Sequence, residues 1–217
     1  MNKIIFILTC LFAGSANAIP TLTEHITNGG FETGDFTGWN VVNTGNGAWN
    51  INDGTLPTFF GTQPPISGGF DAVTTQSGPG FHSLSQNITL SNISSAILSW
   101  DDRIQSNAAF VDPNQEWRVI VEDLVGNLIG EVFSTNAGDT NPQLGPNSRS
   151  FDITSLLSPF ANQTISISFQ QQDNLGFFSA TLDNVSFTTA SVPEPSIIAL
   201  LGIGLAGIGF SRRKKNI

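Results

Sequence analysis

The stretch EWRVIVEDLVGNLIGEVF, residues 116–133, decides how the chain is read. In its first half Trp117, Val119 and Val121 fall on one side of a period-two alternation, which is the pattern of a strand with one face turned inward. Gly126 and Asn127 favour the positive φ of a tight turn, and residues 128–133 return as a second strand. The stretch therefore predicts a β-hairpin. Outward from it the same signals recur. Residues 96–100 predict a strand ending at the Asp101-Asp102 pair, and residues 164–170 alternate with Ile165, Ile167 and Phe169 inward. Residues 150–154 and 180–187 add two more, while 41–42, 48–50, 72–75 and 81–90 are weaker candidates. Residues 155–160 suggest one short helical turn around Pro159.

No segment of the body shows a long 3.6-residue apolar period, and Gly, Pro, Asn and Asp clusters separate the strands. About eight to ten strands of this kind predict an all-β fold, a jelly-roll-like antiparallel β-sandwich. Residues 53–69 and 136–147 resist strand assignment and are expected as loops at the sandwich ends, where ligands are usually bound.

Both ends of the chain have a different character. Residues 1–18, MNKIIFILTCLFAGSANA, combine Lys3, an apolar stretch and the small-residue site Ala16-Asn17-Ala18. This is a secretory signal peptide, and cleavage after Ala18 leaves residues 19–190 as the β-domain. Cys10, the one cysteine of the 217 residues, leaves with it, so the mature protein has no disulfide. It follows Thr9 within the apolar stretch and is no lipid-attachment site.

Residues 191–217 read SVPEPSIIALLGIGLAGIGFSRRKKNI. Pro193 and Pro195 break any regular element, and residues 197–210 follow without a charge. As a helix this run reaches ~21 Å, short of a ~30 Å hydrocarbon core. Arg212, Arg213, Lys214 and Lys215 extend it by snorkelling to the headgroups and hold that end in the cytoplasm. A short C-terminal transmembrane helix with the body outside is expected. Val192-Pro193-Glu194-Pro195, the Gly-rich apolar run and the basic cluster resemble the PEP-CTERM sorting signal of bacterial exported proteins. The resemblance implies recognition by exosortase, a membrane-embedded protease, and removal of the tail at the motif. Export through the Sec machinery, anchoring at the inner membrane, then release to the cell surface or beyond follow from it. An anchor that is never processed is the alternative, and it too places the body outside.

Between residues 19 and 191 three basic residues (Arg103, Arg118 and Arg149) face 16 acidic ones, a net charge of −13. Such a balance argues against nucleic acid and anionic polymers as partners. It suits solubility, divalent cations or neutral glycans. NGGFETGDFTGW, residues 28–39, and TLDNVSF, residues 181–187, resemble the opening and closing strands of galactose-binding-like jelly rolls, which include many carbohydrate-binding modules. That resemblance makes Phe31 and Trp39 core anchors. It also implies one structural Ca²⁺ held by Glu32 and Asp183 with backbone carbonyls.

A glycan site needs exposed rings, and Trp49, Phe59, Phe60, Trp100 and Trp117 are the available ones. Trp100 and Trp117 belong to alternating strands and are expected in the core. Phe59 and Phe60, in a Pro-flanked loop, are the ligand candidates. No catalytic residues are expected. Asp101 and Asp102 point to opposite faces of a strand, and His25 and His82 have no metal-ligand spacing. No nucleophile elbow or P-loop occurs, although a glycoside hydrolase with two distant acids would leave no local motif. The expected function is that of an exported envelope or matrix protein, structural or adhesive and linked to exopolysaccharide or biofilm. A carbohydrate-binding module and a secreted hydrolase are the alternatives.

Overall fold

The alternation in residues 116–133 is realised in space: Trp117, Val119 and Val121 are buried, and the chain turns back at Gly126 with a φ of 88°. The computed structural model describes residues 20–75, 78–139 and 143–191. The signal peptide with Ala16 and Ala18 lies outside the described residues. So do the motif residues Val192, Pro193, Glu194 and Pro195, the apolar run, and Arg212, Arg213, Lys214 and Lys215. Among the described residues no helix is long and apolar enough to cross a membrane.

In chain order the strands are β1 (Thr21–Glu24), β2 (Asn40–Gly45), β3 (Ala48–Asn52), β4 (Pro57–Thr58), β5 (Gly61–Thr62) and β6 (Asp71–Thr75). Then come β7 (Gly80–Thr89), β8 (Ser95–Ser106), β9 (Gln115–Asp123), β10 (Leu128–Ser134) and β11 (Gln143–Asp152). The short helix α1 (Thr154–Leu157) and a 3₁₀ turn (Ser158–Phe160) precede β12 (Thr164–Asp173) and β13 (Phe178–Ser191). One sheet has the order β11-β8-β13-β6-β3, with β1 added against β13. The other has the order β10-β9-β12-β7-β2. β4 and β5 form a separate small hairpin. The result is an all-β antiparallel sandwich.

Its core forms where the inward faces meet. Leu84, Trp117, Val119, Ile165, Ile167 and Phe169 from the five-stranded sheet are fully buried, as are Leu98, Ile104, Ala180, Leu182 and Phe187 from the other. Phe169 is the hub: its ring lies 6.1 Å from Trp39, 5.5 Å from Trp100 and 6.2 Å from Trp117. Phe31 stacks on Trp39 at 5.5 Å, so both anchors of residues 28–39 serve in the core as expected. Trp49 is 4 % exposed, which removes it from the rings available to a ligand.

Several strands run further than the apolar pattern predicts. β8 passes through Asp101-Asp102 to Ser106, and β11 takes residues 143–147 from the expected loop 136–147. The reason is a buried polar network. Asp102, fully buried, accepts hydrogen bonds from Trp100 Nε1 at 2.9 Å, Asn147 Nδ2 at 2.9 Å and Arg149 Nη2 at 3.0 Å. Trp117 Nε1, reaching across from the other sheet, adds a fourth contact at 3.4 Å. The Arg149 guanidinium also lies 4.0 Å above the Phe133 ring. A buried carboxylate with this many donors is tolerated where an unpaired one is not. Replacing Asp102 by alanine leaves Arg149 and two indole N–H groups without their acceptor. Asp102→Ala is expected to cost ~3–5 kcal/mol in chemical denaturation, and a loss near zero would show the network to be dispensable.

Candidate functional site

Residues 28–32 and the bulge at the middle of β13 come together because Gly29 allows it. A Cβ on Gly29 would lie 1.9 Å from the Val185 carbonyl oxygen, so only glycine lets the chains approach. At that contact Val185 N donates to the Gly29 carbonyl at 3.0 Å. A Cβ on Gly30 would sit 3.7 Å from Asp183 Oδ1 and 3.8 Å from Glu32 Cγ, so the two expected metal ligands do converge.

The third party to this cluster is the loop after β5, part of the expected loop 53–69, which here also carries the short strands β4 and β5. Its N–H groups each find a carboxylate from a different element. Ile66 N donates to Asp71 Oδ2 at 2.9 Å, Ser67 N to Asp183 Oδ2 at 2.9 Å, and Gly69 N to Glu32 Oε1 at 3.0 Å. Gly68 has φ +59°, and a Cβ there would lie 2.0 Å from Glu32 Oε1, so a side chain would push the carboxylate off its bond to Gly69 N. Arg103 Nη1 donates to the Pro64 carbonyl and fixes the same loop to the outer face of the six-stranded sheet.

Burial pushes the Asp71 carboxyl up to about 6, with Asp183 adding to the shift and the bonds from Asn52 and Ile66 opposing it. Burial also raises Asp183, and the charge of Glu32 adds to it. Glu32 and Asp183 offer carboxylate oxygens, hard donors that fit Ca²⁺ in kind. Part of their bonding capacity is already taken by the loop N–H groups. Among the described residues no group of three or more His, Cys, Asp or Glu side chains is arranged to hold a metal ion.

Phe59 and Phe60 sit at the tip of the β4–β5 hairpin on the same loop. Phe59 is 58 % exposed, yet its ring lies flat on Phe177 at 3.7 Å and meets Phe60 edge-on at 5.2 Å. The rings clasp the hairpin to the turn before β13. His82 is buried, its ring nitrogens bonded to Asn43 Oδ1 and the Asn46 carbonyl.

A polar trough lies elsewhere, on the outward face of the five-stranded sheet. A trough of about 370 Å³ runs beside β7 from Phe81 to Asn87, ~20 Å at strand spacing. Register builds its floor. Ser85 stands between Asn40 and Ser168, Ser83 between Val42 and Gln170, and Ser166 between Asn87 and Glu122. Small side chains on the two central strands let a ligand approach the sheet, and longer ones on the outer strands form the walls. Gln170 is held in place, accepting from Arg118 Nε at 2.8 Å and donating to Ser168 Oγ at 3.0 Å. Sequence reasoning missed this trough because it sought aromatic rings. The available signal was serine at alternate positions of two strands, 83 and 85, then 166 and 168.

With this geometry in view, the comparisons fall into place. Residues 191–214 match the PEP-CTERM protein-sorting motif. The motif implies export, a membrane-anchored C-terminus before processing, and processing by exosortase-type machinery. No curated protein sequence matches the chain. In structure the body resembles TmCBM61, solved with beta-1,4-galactotriose, at TM-score 0.50 and 15 % identity over 76 % of this chain and 97 % of that one. It resembles the CBM22-1 xylan-binding domain of Paenibacillus barcinonensis Xyn10C at TM-score 0.50 and 13 % identity, over 82 % of this chain and 100 % of that one. The K3 cleaved adhesin domain of Lys-gingipain from Porphyromonas gingivalis gives 0.53 and 15 %, over 77 % and 99 %. The body therefore has the β-sandwich fold of carbohydrate-binding modules.

Asp71 generates a pH dependence. Its folded value of about 6 stands above the ordinary 3.8, so the stability tied to its proton is complete below about pH 4 and lost as pH rises through 6. Asp35, Asp53 and Asp152, drawn down by hydrogen bonds from Thr33, Thr55 and Thr154, act in the opposite sense. The readout is therefore the difference between variant and parent. With calcium chelated, Asp71→Asn is expected to gain stability relative to the parent between about pH 4 and pH 7. Denaturation at the two values checks it, and a constant difference would refute it.

Proposed function

We propose that the chain is an exported envelope or matrix protein whose β-sandwich holds polysaccharide in the open-face trough and so attaches exopolysaccharide at the cell surface. The observation that carries this is the trough itself. Its hydroxyl, amide and carboxylate groups are brought together by backbone register on one face, where several can bond to a sugar at once. Neutral sugars are bound by such groups working together, since each hydrogen bond contributes only ~0.5–1.5 kcal/mol. The same fold carries a galactotriose in TmCBM61 and belongs to a xylan-binding domain in CBM22-1. The tail supports the location: passage through Sec, a stay at the inner membrane, then exosortase processing and residence at the surface.

The role proposed is binding, not catalysis. Asp102 is spent on the core network, Asp101 faces the other way and accepts from Asn184, and His82 is closed in by asparagines. Glu32 and Asp183 are proposed to hold a structural Ca²⁺, which would add to the charge of Arg103 at this corner of the sandwich and tie the opening segment to the closing strand.

Two measurements test these assignments. In affinity electrophoresis on galactan and xylan the protein is expected to be retarded, and Ser168→Trp, which fills the trough from its floor, is expected to run freely. Ser168 is 2 % exposed, so the variant's melting midpoint is measured alongside to show that it is folded. Retardation that survives the substitution would place the site elsewhere, and none on any neutral glycan would remove the proposal. For the metal, EDTA is expected to lower the melting midpoint and added Ca²⁺ to restore it. An insensitive midpoint counts against the ion alone.

A further inference from the structure

The charges around the trough carry a finer statement, which rests on the binding role just proposed. One cation stands near the floor, Arg118, and it is already engaged. Its Nε donates to Gln170 at 2.8 Å, and its Nη1 lies 3.6 Å from Glu116 Oε2. Two carboxylates line the trough itself, Glu122 and Asp123. Glu131 stands on the same side of the sheet, paired in register with Ile120. Asp123 holds the β9–β10 turn, accepting from Val125 N and Asn127 N at 2.9 Å each, and keeps its charge while doing so. Glu122 stands beside Ser166 at the trough wall. Burial raises its carboxyl, with Arg118 opposing the shift and Asp123 adding to it.

A ligand entering this end meets net negative charge and hydrogen-bond acceptors, within a body that carries −13. An anionic sugar finds no free cation to receive it. A protonated amine on the sugar ring supplies both the missing charge and three N–H donors. We propose that the trough selects polysaccharides containing amino sugars with a free, protonated amine, and that Glu122 receives the ammonium group. The selectivity is electrostatic, so it weakens with salt.

The test compares three probes of equal length on the purified full chain at about pH 6: a glucosamine oligosaccharide, its fully N-acetylated counterpart, and an oligogalacturonate. Calorimetry is expected to show the free-amine form binding about fivefold more tightly than the acetylated one, with no binding of the uronate. The preference is expected to shrink with added salt, and Glu122→Gln is expected to bring the two affinities together. Equal affinities in the parent, tighter binding of the uronate, or a preference that survives Glu122→Gln would each overturn the inference. If xylan, galactan and the acetylated probe still bind in a Ser168-dependent way, the failure touches the amine alone. If no glycan binds, the trough's proposed role fails with it.

Discussion

The strict two-residue alternation of the five-stranded sheet constrains everything else in this molecule. On β12, Ile165, Ile167 and Phe169 must enter the core, which forces Ser166, Ser168 and Gln170 to the opposite face. On β7 the inward Leu84 and Ile88 impose the same choice on Ser83, Ser85 and Asn87. A slip of one residue in the pairing would send the serines inward and expose the large apolar side chains, at a cost no surface interaction could offset. The packing that stabilises the sandwich and the polar row that makes the trough are thus two sides of one register. A site of this kind is held as firmly as the core beneath it.

The other outer face is organised differently. There the loop between β5 and β6 is fixed by its own backbone, with N–H groups directed at carboxylates from residue 32, β6 and β13. Such charge-assisted bonds are short and directional. They also bury the Asp71 and Asp183 carboxyls, which is the main reason both are raised, and the neighbouring acidic charge adds a smaller share. The loop gives this face a bonded cover and leaves the five-stranded sheet as the face open to a ligand.

How much of this was legible depended on whether a residue's role is local. The hairpin of residues 116–133, the inward Ile165, Ile167 and Phe169, and the anchors Phe31 and Trp39 could all be read, because burial imprints itself on neighbouring positions. Strand ends were underestimated where polar residues turn inward: Asp102 and Ser106 on β8, Gln171 and Asp173 on β12. Each breaks the apolar alternation, and its compensation lies on another strand or, for Asp173, in the turn that follows. The convergence of Glu32 with Asp183 came from a resemblance, but Asp71 and the loop N–H groups that complete the cluster left no mark in the sequence. The trough was invisible for the same reason. A serine on the outward face of a strand looks ordinary until Ser85 is known to stand beside Ser168.

Asp102 has a mechanical side. Trp100 and Arg149 reach it from its own sheet and Trp117 from the facing one, so a single carboxylate fastens the two layers where apolar surfaces alone would let them slide. Shearing the layers apart would strip donors from a buried charge before water could replace them. In the proposed role, a domain holding polymer at a cell surface, the load would fall in this direction, and the bonds to Asp102 would add to the apolar packing that resists it.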